Sequence, residues 1–450
     1  MKKNVLIFGF GESGRSAFLI LNKKNKNKFF IFDEDEKCLE YANDNYGKLK
    51  NVYILKNLNK NIISFMDMLV LSPGVSIYNP YVTYAKRLKK EIIGEMELGF
   101  LNTKKKIIAI SGTNGKTTCT RLLTEILNNA NKRAVSAGNI GYPLSRAIVE
   151  HKRAKIFVVE TSSFQLETIN KFKPDVACIL NITPDHINRH KSYQNYIKCK
   201  KNIFKNMGRK DVLVLNSNLS KLCETKKSKF CYAYFNIDKA NKCVFEKDDE
   251  IIYKSGNKKQ VVCKKQDISL IGSHNLENVM ACILIAKLYN IKNKYILEAL
   301  KNFKLSPHRI ELVYKIDGTS FFDDSKATNI DSTKRAMESF EDSTLLLLGG
   351  SEKGYSFGEL FKNFPNHIDE VVCFGEVGKK IFDASQGFHI QSRCFETLKE
   401  ATNYACSVAG EYKNILLSPA NASFDEFKSY KDRGEKFLEY IKEYYEKDKN

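Results

Sequence analysis

The stretch that most constrains this chain spans residues 107–118, Ile-Ile-Ala-Ile-Ser-Gly-Thr-Asn-Gly-Lys-Thr-Thr. A short apolar run stops at a glycine-flanked loop, and a helical pattern follows from Cys119 to Asn128. The order predicts strand, loop and helix, with the loop at the helix N-terminus, where free N–H groups and the helix dipole favour an anion. Gly112 and Gly115 let the backbone turn its N–H groups inward, Lys116 adds a point charge, and the Thr117 hydroxyl can hold a magnesium ion. The loop is shorter than the general phosphate-loop pattern, which would place a glycine at Ile110.

At 450 residues the chain is too long for one core, and about 150 residues per domain suggests three domains. The hydrophobic share of 43% suits a globular protein, and the longest apolar runs, at 5–10 and 345–348, fall far short of the ~18 residues that cross a bilayer. No membrane partner is expected. Met1-Lys2-Lys3 and the apolar residues after it imitate a signal peptide, but Gly9, Gly11, Glu12 and Arg15 interrupt the pattern, so it reads as a first strand. The 12 cysteines include no Cys-x-x-Cys pair and no zinc spacing. Cys119, Cys178, Cys282 and Cys373 lie in apolar runs and read as buried thiols of a cytoplasmic protein. The net charge of +21 comes from scattered lysines, often beside asparagine, without the concentrated footprint that nucleic acid requires, and no nucleic-acid partner is expected.

Residues 1–98 read as a first α/β unit. A strand at 5–10 runs into Gly9-Phe10-Gly11-Glu12-Ser13-Gly14, which opens a helix, and a strand at 29–32 ends at Asp33. This is the dinucleotide fingerprint: a diphosphate on a helix N-terminus and a carboxylate on a ribose or base. Taken alone it suggests NAD, but it does not say which diphosphate is bound. A strand at 68–71 ends in Ser72-Pro73-Gly74, again at the carboxyl end, where open sheets bind ligands. A polar connector over 99–106 and a second break near 303–307 divide the chain into 1–98, 99–305 and 306–450.

In the central unit, Gly138-Asn139-Ile140-Gly141 forms a glycine-bracketed turn, and strands at 156–159 and 176–180 end in Glu160-Thr161-Ser162-Ser163 and in Asn181-Ile182-Thr183-Pro184-Asp185-His186. A carboxylate that ends a strand beside a phosphate loop commonly sits at the nucleotide magnesium. A helix over 193–206 carries Lys198, Lys200 and Lys201. Residues 218–268 read as lysine-rich hairpins or loops, and Ser273-His274-Asn275 precedes an apolar helix over 276–288. The last unit alternates strands, at 320–322, 345–348, 371–374 and 415–417, with helices, which argues a parallel, helix-covered sheet. Its strands end in polar turns, among them Asp323-Asp324-Ser325-Lys326, Gly349-Gly350-Ser351 and Ser418-Pro419-Ala420.

Taken singly, a histidine such as His186 is usually structural, a helical lysine such as Lys200 usually faces solvent, and Asp324 with Lys326 fits a plain turn. Their shared placement at the carboxyl ends of strands in successive α/β units raises the functional reading.

Together the motifs resemble the Mur ligases of bacterial cell-wall synthesis. The resemblance rests on Gly112-Thr113-Asn114-Gly115-Lys116-Thr117-Thr118, on the segment from Glu160 to Glu167, on Asp324-Ser325-Lys326-Ala327-Thr328-Asn329, and on the segment from Leu417 to Ser423. It spans essentially the whole chain. It implies a Rossmann-like N-terminal domain, a central P-loop ATPase-type domain with a mostly parallel sheet, and a C-terminal Rossmann-like α/β domain. The implied reaction is ATP-dependent addition of D-glutamate to UDP-N-acetylmuramoyl-L-alanine through an acyl phosphate, by a monomer. The alternative is a related Mur or folylpolyglutamate-type ligase adding another amino acid.

By the same resemblance, Lys116 and Thr117 serve the ATP phosphates and magnesium, Glu160 holds that ion, and His186 a second one. Lys200 aligns with a lysine that CO2 converts to a carbamate. Asn275, Arg309 and Asp324 align with contacts to the ATP base and ribose. Gly11, Glu12, Ser13, Asp33, Ser72 and Gly74 would cradle the UDP group, and Asn139 would touch the same substrate. Lys326, Thr328, Lys353, Ser423 and Tyr430 align with the D-glutamate site. Three positions depart from the family pattern: Asp35 stands where a basic residue is expected, Asn188 where an acid is expected, and Tyr430 where phenylalanine is expected.

Overall fold

A computed structural model describes residues 2–23, 27–223, 229–270, 272–305 and 307–447. The chain forms two compact units, one of Met1–Pro184, Arg189–Ser269 and Glu277–Phe303, the other of Asp185–Asn188, Leu270–Leu276 and Lys304–Asn450.

The first unit holds two sheets. β1 (Asn4–Phe8), β2 (Lys28–Phe32), β3 (Val52–Ile54), β4 (Met68–Leu71) and β5 (Glu91–Gly94) form a sheet in the order β3-β2-β1-β4-β5. All its pairings are parallel. Strand alternation explains why these runs are apolar throughout: Val5, Ile7 and Val70 face one core with Phe18, while Leu6, Phe8 and Leu69 face the other with Val82. The order reverses at β1 and β4, which opens a crevice at their carboxyl ends.

The second sheet comprises β6 (Lys106–Ser111), β7 (Ala134–Gly138), β8 (Ile156–Glu160), β9 (Val176–Ile179), β10 (Val212–Asn216), β11 (Cys231–Phe235), β12 (Lys242–Lys247), β13 (Glu250–Ser255) and β14 (Lys258–Lys264). Their order is β14-β13-β12-β11-β10-β9-β6-β8-β7. Residues 218–268 are therefore more than hairpins and loops. β11 and β12 extend the parallel sheet, and among the described residues of this stretch β12, β13 and β14 pair as antiparallel hairpins. Buried Cys243, Val244 and Ile251 among exposed lysines carry that half-covered pattern. The polar connector over 99–106 is also partly regular: the helix Glu95–Leu101 runs through Gly99, where a Cβ would press on Leu144.

In the second unit, β15 (Glu311–Ile316), β16 (Thr319–Asp323), β17 (Thr344–Gly349), β18 (Ile368–Phe374), β19 (Ser392–Cys394) and β20 (Asn414–Ala420) lie in the order β15-β16-β20-β17-β18-β19. β15 alone runs antiparallel, joined to β16 by Asp317 and Gly318, both with positive φ, the tight turn that suits the strand twist. All 12 cysteines are free, and Cys119, Cys178, Cys282 and Cys373 are buried as expected. Among the described residues, no helix is long and apolar enough to cross a membrane.

Candidate active site

β6 delivers the chain to the phosphate loop, and the helix Lys116–Asn129 leaves it. Gly115 caps that helix at φ 81°, and a Cβ there would collide with the Asn278 amide, so both conformation and space demand glycine. The loop is fixed from the end of β9. Asn114 N–H donates to Asn181 Oδ1 at 2.8 Å, Thr183 N–H donates to Thr113 Oγ1 at 3.0 Å, and the Tyr196 hydroxyl lies 3.0 Å from the same oxygen.

The Lys116 ammonium folds back onto the loop, donating to Gly112 O at 3.0 Å and Thr113 O at 2.7 Å. Lys200 is not solvent-facing: it is 2% exposed, donates to Gly112 O at 2.7 Å, and holds its ammonium 4.7 Å from the Tyr196 ring centre. Two lysine side chains thus converge on one carbonyl oxygen of the phosphate loop, and the Lys116 ammonium there suits a phosphate.

On β8, the strand beside β6, Glu160 is buried. Its Oε1 accepts from Asn139 Nδ2 at 2.9 Å, while its buried Oε2 accepts no hydrogen bond among the described residues. A buried carboxylate oxygen without a donor is costly, and a hard cation satisfies it. The donor set therefore fits magnesium.

In the first sheet, Gly11, Glu12, Ser13, Asp33, Ser72 and Gly74 all line one cleft of about 490 Å³ at the β1/β4 crevice. The Ser72 hydroxyl donates to Gly9 O at 2.8 Å. The Asp33 carboxylate accepts the N–H groups of Phe10 and Asp35 and so fixes the loop around it. Asp35 has a structural job of its own, capping the helix Glu36–Tyr46 through Lys37 N–H at 3.0 Å.

The remaining candidates belong to the second unit. His186 sits at φ 53°, with Nε2 3.5 Å from Asp185 Oδ2. Asp185 Oδ1 accepts the Tyr355 hydroxyl at 3.0 Å, and the Lys353 ammonium, 3.9 Å away, donates to Thr328 O at 2.8 Å. Burial pushes Lys353 below the usual lysine range, and Asp185 pulls it back.

Asp324 accepts the Ser418 hydroxyl at 2.8 Å, and burial raises its carboxyl to about 7 against the pull of Ser418 and Arg309. His274, next to the buried Asn275, is held down at about 4 by burial and by the charges of Arg335 and Arg309. The Arg309 charge is thus felt by both His274 and Asp324. The Lys326 ammonium lies 3.7 Å from the Tyr430 ring centre, a cation–π contact for which phenylalanine or tyrosine serves. Ser423 is buried.

The Mur ligase middle domain family matches residues 110–286, the Mur ligase glutamate ligase domain 308–421, and the MurD-like N-terminal domain of Mur ligases 3–94. The UDP-N-acetylmuramoylalanine–D-glutamate ligase of Caldicellulosiruptor saccharolyticus is 39% identical over 448 residues, 98% of this chain and 99% of that protein. The chain belongs to the Mur ligase family. The ligase of the same name from Clostridioides difficile is 36% identical over 448 residues, 98% of each chain. The fold also matches two solved Mur ligases. MurF from Acinetobacter baumannii has TM-score 0.62 and 15% identity, over 86% of this chain and 93% of that one. MurF from Thermotoga maritima, solved in complex with ADP, has TM-score 0.59 and 14% identity, over 99% of this chain and 96% of that one.

Reading the sequence missed several residues that shape this Mur ligase's site. Asn181 opened a quoted strand-end turn and Tyr196 lay in the helix of Lys200, but neither was given a role. Arg433 is fully buried and donates to Ser325 O at 2.8 Å, Asn421 O at 3.0 Å and Ala422 O at 3.1 Å. It ties together the two segments, after β16 and β20, on which the family resemblance rests. Gly434 was the available signal, since a Cβ there would collide with Asp323 and His308.

Proposed function

We propose that this Mur ligase joins D-glutamate to UDP-N-acetylmuramoyl-L-alanine at the expense of ATP, for peptidoglycan precursor synthesis, as a cytoplasmic monomer. The observation that carries the reading is the convergence of Lys116 and Lys200 on Gly112 O, one strand from the unpaired oxygen of Glu160. Full-length relatives of that name support the choice of amino acid.

In the first step, a carboxylate oxygen of the UDP-linked substrate attacks the γ-phosphorus, the bond to ADP breaks, and an acyl phosphate forms. The phosphate loop and Lys116 hold the nucleotide phosphates and offset the charge that spreads over the transferring group. Glu160, with Thr117, would hold a magnesium ion, and His186 would hold a second; Lys200, once CO2 has made it a carbamate, would offer magnesium an anionic oxygen, and bound magnesium supplies charge neutralisation. In the second step the D-glutamate amine attacks the acyl carbon, and the tetrahedral adduct expels phosphate as the amine proton leaves. Lys326, Thr328, Lys353, Ser423 and Tyr430 orient the incoming amino acid, while Asn275, Arg309 and Asp324 hold the adenosine. Most of the rate enhancement is positioning and charge stabilisation.

The test is ADP formation with ATP, magnesium, UDP-N-acetylmuramoyl-L-alanine and D-glutamate, omitting one at a time. Turnover is expected only with all four; stimulation by a different amino acid instead of D-glutamate overturns the proposal.

A further inference from the structure

Arg189 belongs to none of the groups above, yet it joins the two sheets of the first unit. Its Nη1 donates to Gly74 O at 3.0 Å, and its Nη2 to Val75 O at 3.0 Å and, more weakly, to Pro73 O at 3.4 Å. Nη2 also donates to Glu167 Oε2 at 2.8 Å, and the guanidinium lies 4.7 Å from the Phe164 ring centre. The Glu167 side chain is 4% exposed and the Arg189 side chain 15%, so water screens this pair poorly. Glu167 is braced in turn by His190 Nδ1 at 3.4 Å, and His190 Nε2 lies 2.9 Å from Ser163 Oγ.

The loop this guanidinium grips is the one that ends β4 and lines the 490 Å³ cleft. Ser72 fixes one side of it to Gly9, and Arg189 fixes the other to the helix that follows Glu160. In sequence, Arg189 stands three residues after His186 and Glu167 seven after Glu160. Both halves of the clamp therefore lie on the chain segments that follow Glu160 and His186, the residues proposed above to hold magnesium. A planar fork offers five donors in fixed directions, enough to reach the carbonyls and the Glu167 carboxylate together, whereas a lysine ammonium offers three on a flexible stem.

We infer that Arg189 is a positioning residue: it sets the nucleotide cleft at a fixed distance from the phosphate loop, so that a substrate anchored by its UDP end presents its carboxylate there. This rests on the proposed function for the substrate, but the clamp itself is a property of the loop.

The test is Arg189→Ala, read by steady-state kinetics, by calorimetric titration with UDP alone, and by thermal melting. The expected result is a KM for UDP-N-acetylmuramoyl-L-alanine and a Kd for UDP each raised about tenfold or more, with KM for ATP and for D-glutamate within about twofold of wild type. A role in folding alone would lower the melting temperature and the active fraction and leave these constants unchanged, and that result overturns the inference. If Arg189→Ala does not fold, Arg189→Lys and Glu167→Gln carry the same comparison. Unchanged UDP affinity in these variants overturns the clamp whether or not the ligase assay succeeds, whereas a wild type that binds UDP but shows no D-glutamate-dependent turnover overturns the functional reading instead.

Discussion

Lys200 and Lys116 share one acceptor: their ammonium groups reach the carbonyl oxygen of Gly112 at 2.7 and 3.0 Å. Lys200 does so from a site that is 2% exposed, where an ammonium persists only with partners, here a carbonyl and the face of Tyr196. Lys200→Ala is expected to fold and to lose turnover about a hundredfold. If Lys200 works as a carbamate, formate or acetate will restore part of the rate by supplying the missing oxygens. Equal rates with and without the carboxylate would speak against carbamylation.

Glu160→Gln separates charge from shape. The amide keeps an oxygen for Asn139 and removes the buried, unpaired carboxylate oxygen. The variant is expected to melt no lower than wild type, to need about tenfold more magnesium for half-maximal rate, and to turn over about a hundredfold more slowly. Magnesium titration of the two proteins checks this. An unchanged magnesium requirement would remove Glu160 from the metal site.

Asp324 gives a pH dependence of definite sign. Folded, it keeps its proton up to about 7 because it is buried, whereas an unfolded aspartate releases it near about pH 4. Between these limits the folded state binds more protons, so its stability falls as pH rises through the window and levels off above 7. Asp324→Asn cannot ionise. It is expected to match wild type at the acid end and to melt higher above pH 7. Below pH 7 the wild-type carboxyl gains its proton and becomes a poorer acceptor for a ribose hydroxyl, so kcat/KM for ATP should fall there. The asparagine variant should show a weaker and flatter profile. A wild-type profile flat through pH 7 would contradict the assignment.

Arg433→Met leaves three buried carbonyl oxygens without their donor and is expected to destabilise the second unit by on the order of 3 kcal/mol. Arg433→Lys, which keeps the charge but not the fork, should lose less than the methionine variant. Denaturant midpoints of the full chain give both values; a midpoint unchanged in Arg433→Met would refute the account.

What could be read in advance was local. The strand, loop and helix around Lys116 occupy consecutive residues, and apolar runs marked β16, β17, β18 and β20. Asp317-Gly318 was an equally local signal for β15, whose own half-exposed residues hide it. Arg189 and Arg433 were not legible because most of their partners are backbone carbonyls, among them Gly74 O and Ser325 O, 115 and 108 residues away, and a carbonyl leaves no mark on residue type. By residue type Lys200 was any helical lysine, and only the family resemblance singled it out; the fold adds Gly112, 88 residues earlier, as its partner.

The measurement that tests the central claim most directly follows oxygen. UDP-N-acetylmuramoyl-L-alanine labelled with ¹⁸O in its carboxylate is turned over with ATP, magnesium and D-glutamate, and the released phosphate is weighed by mass spectrometry. If the carboxylate attacks the γ-phosphorus and the D-glutamate amine then expels phosphate, each phosphate carries one labelled oxygen and the new amide keeps the other. Unlabelled phosphate accompanying the D-glutamate product would contradict the acyl-phosphate account.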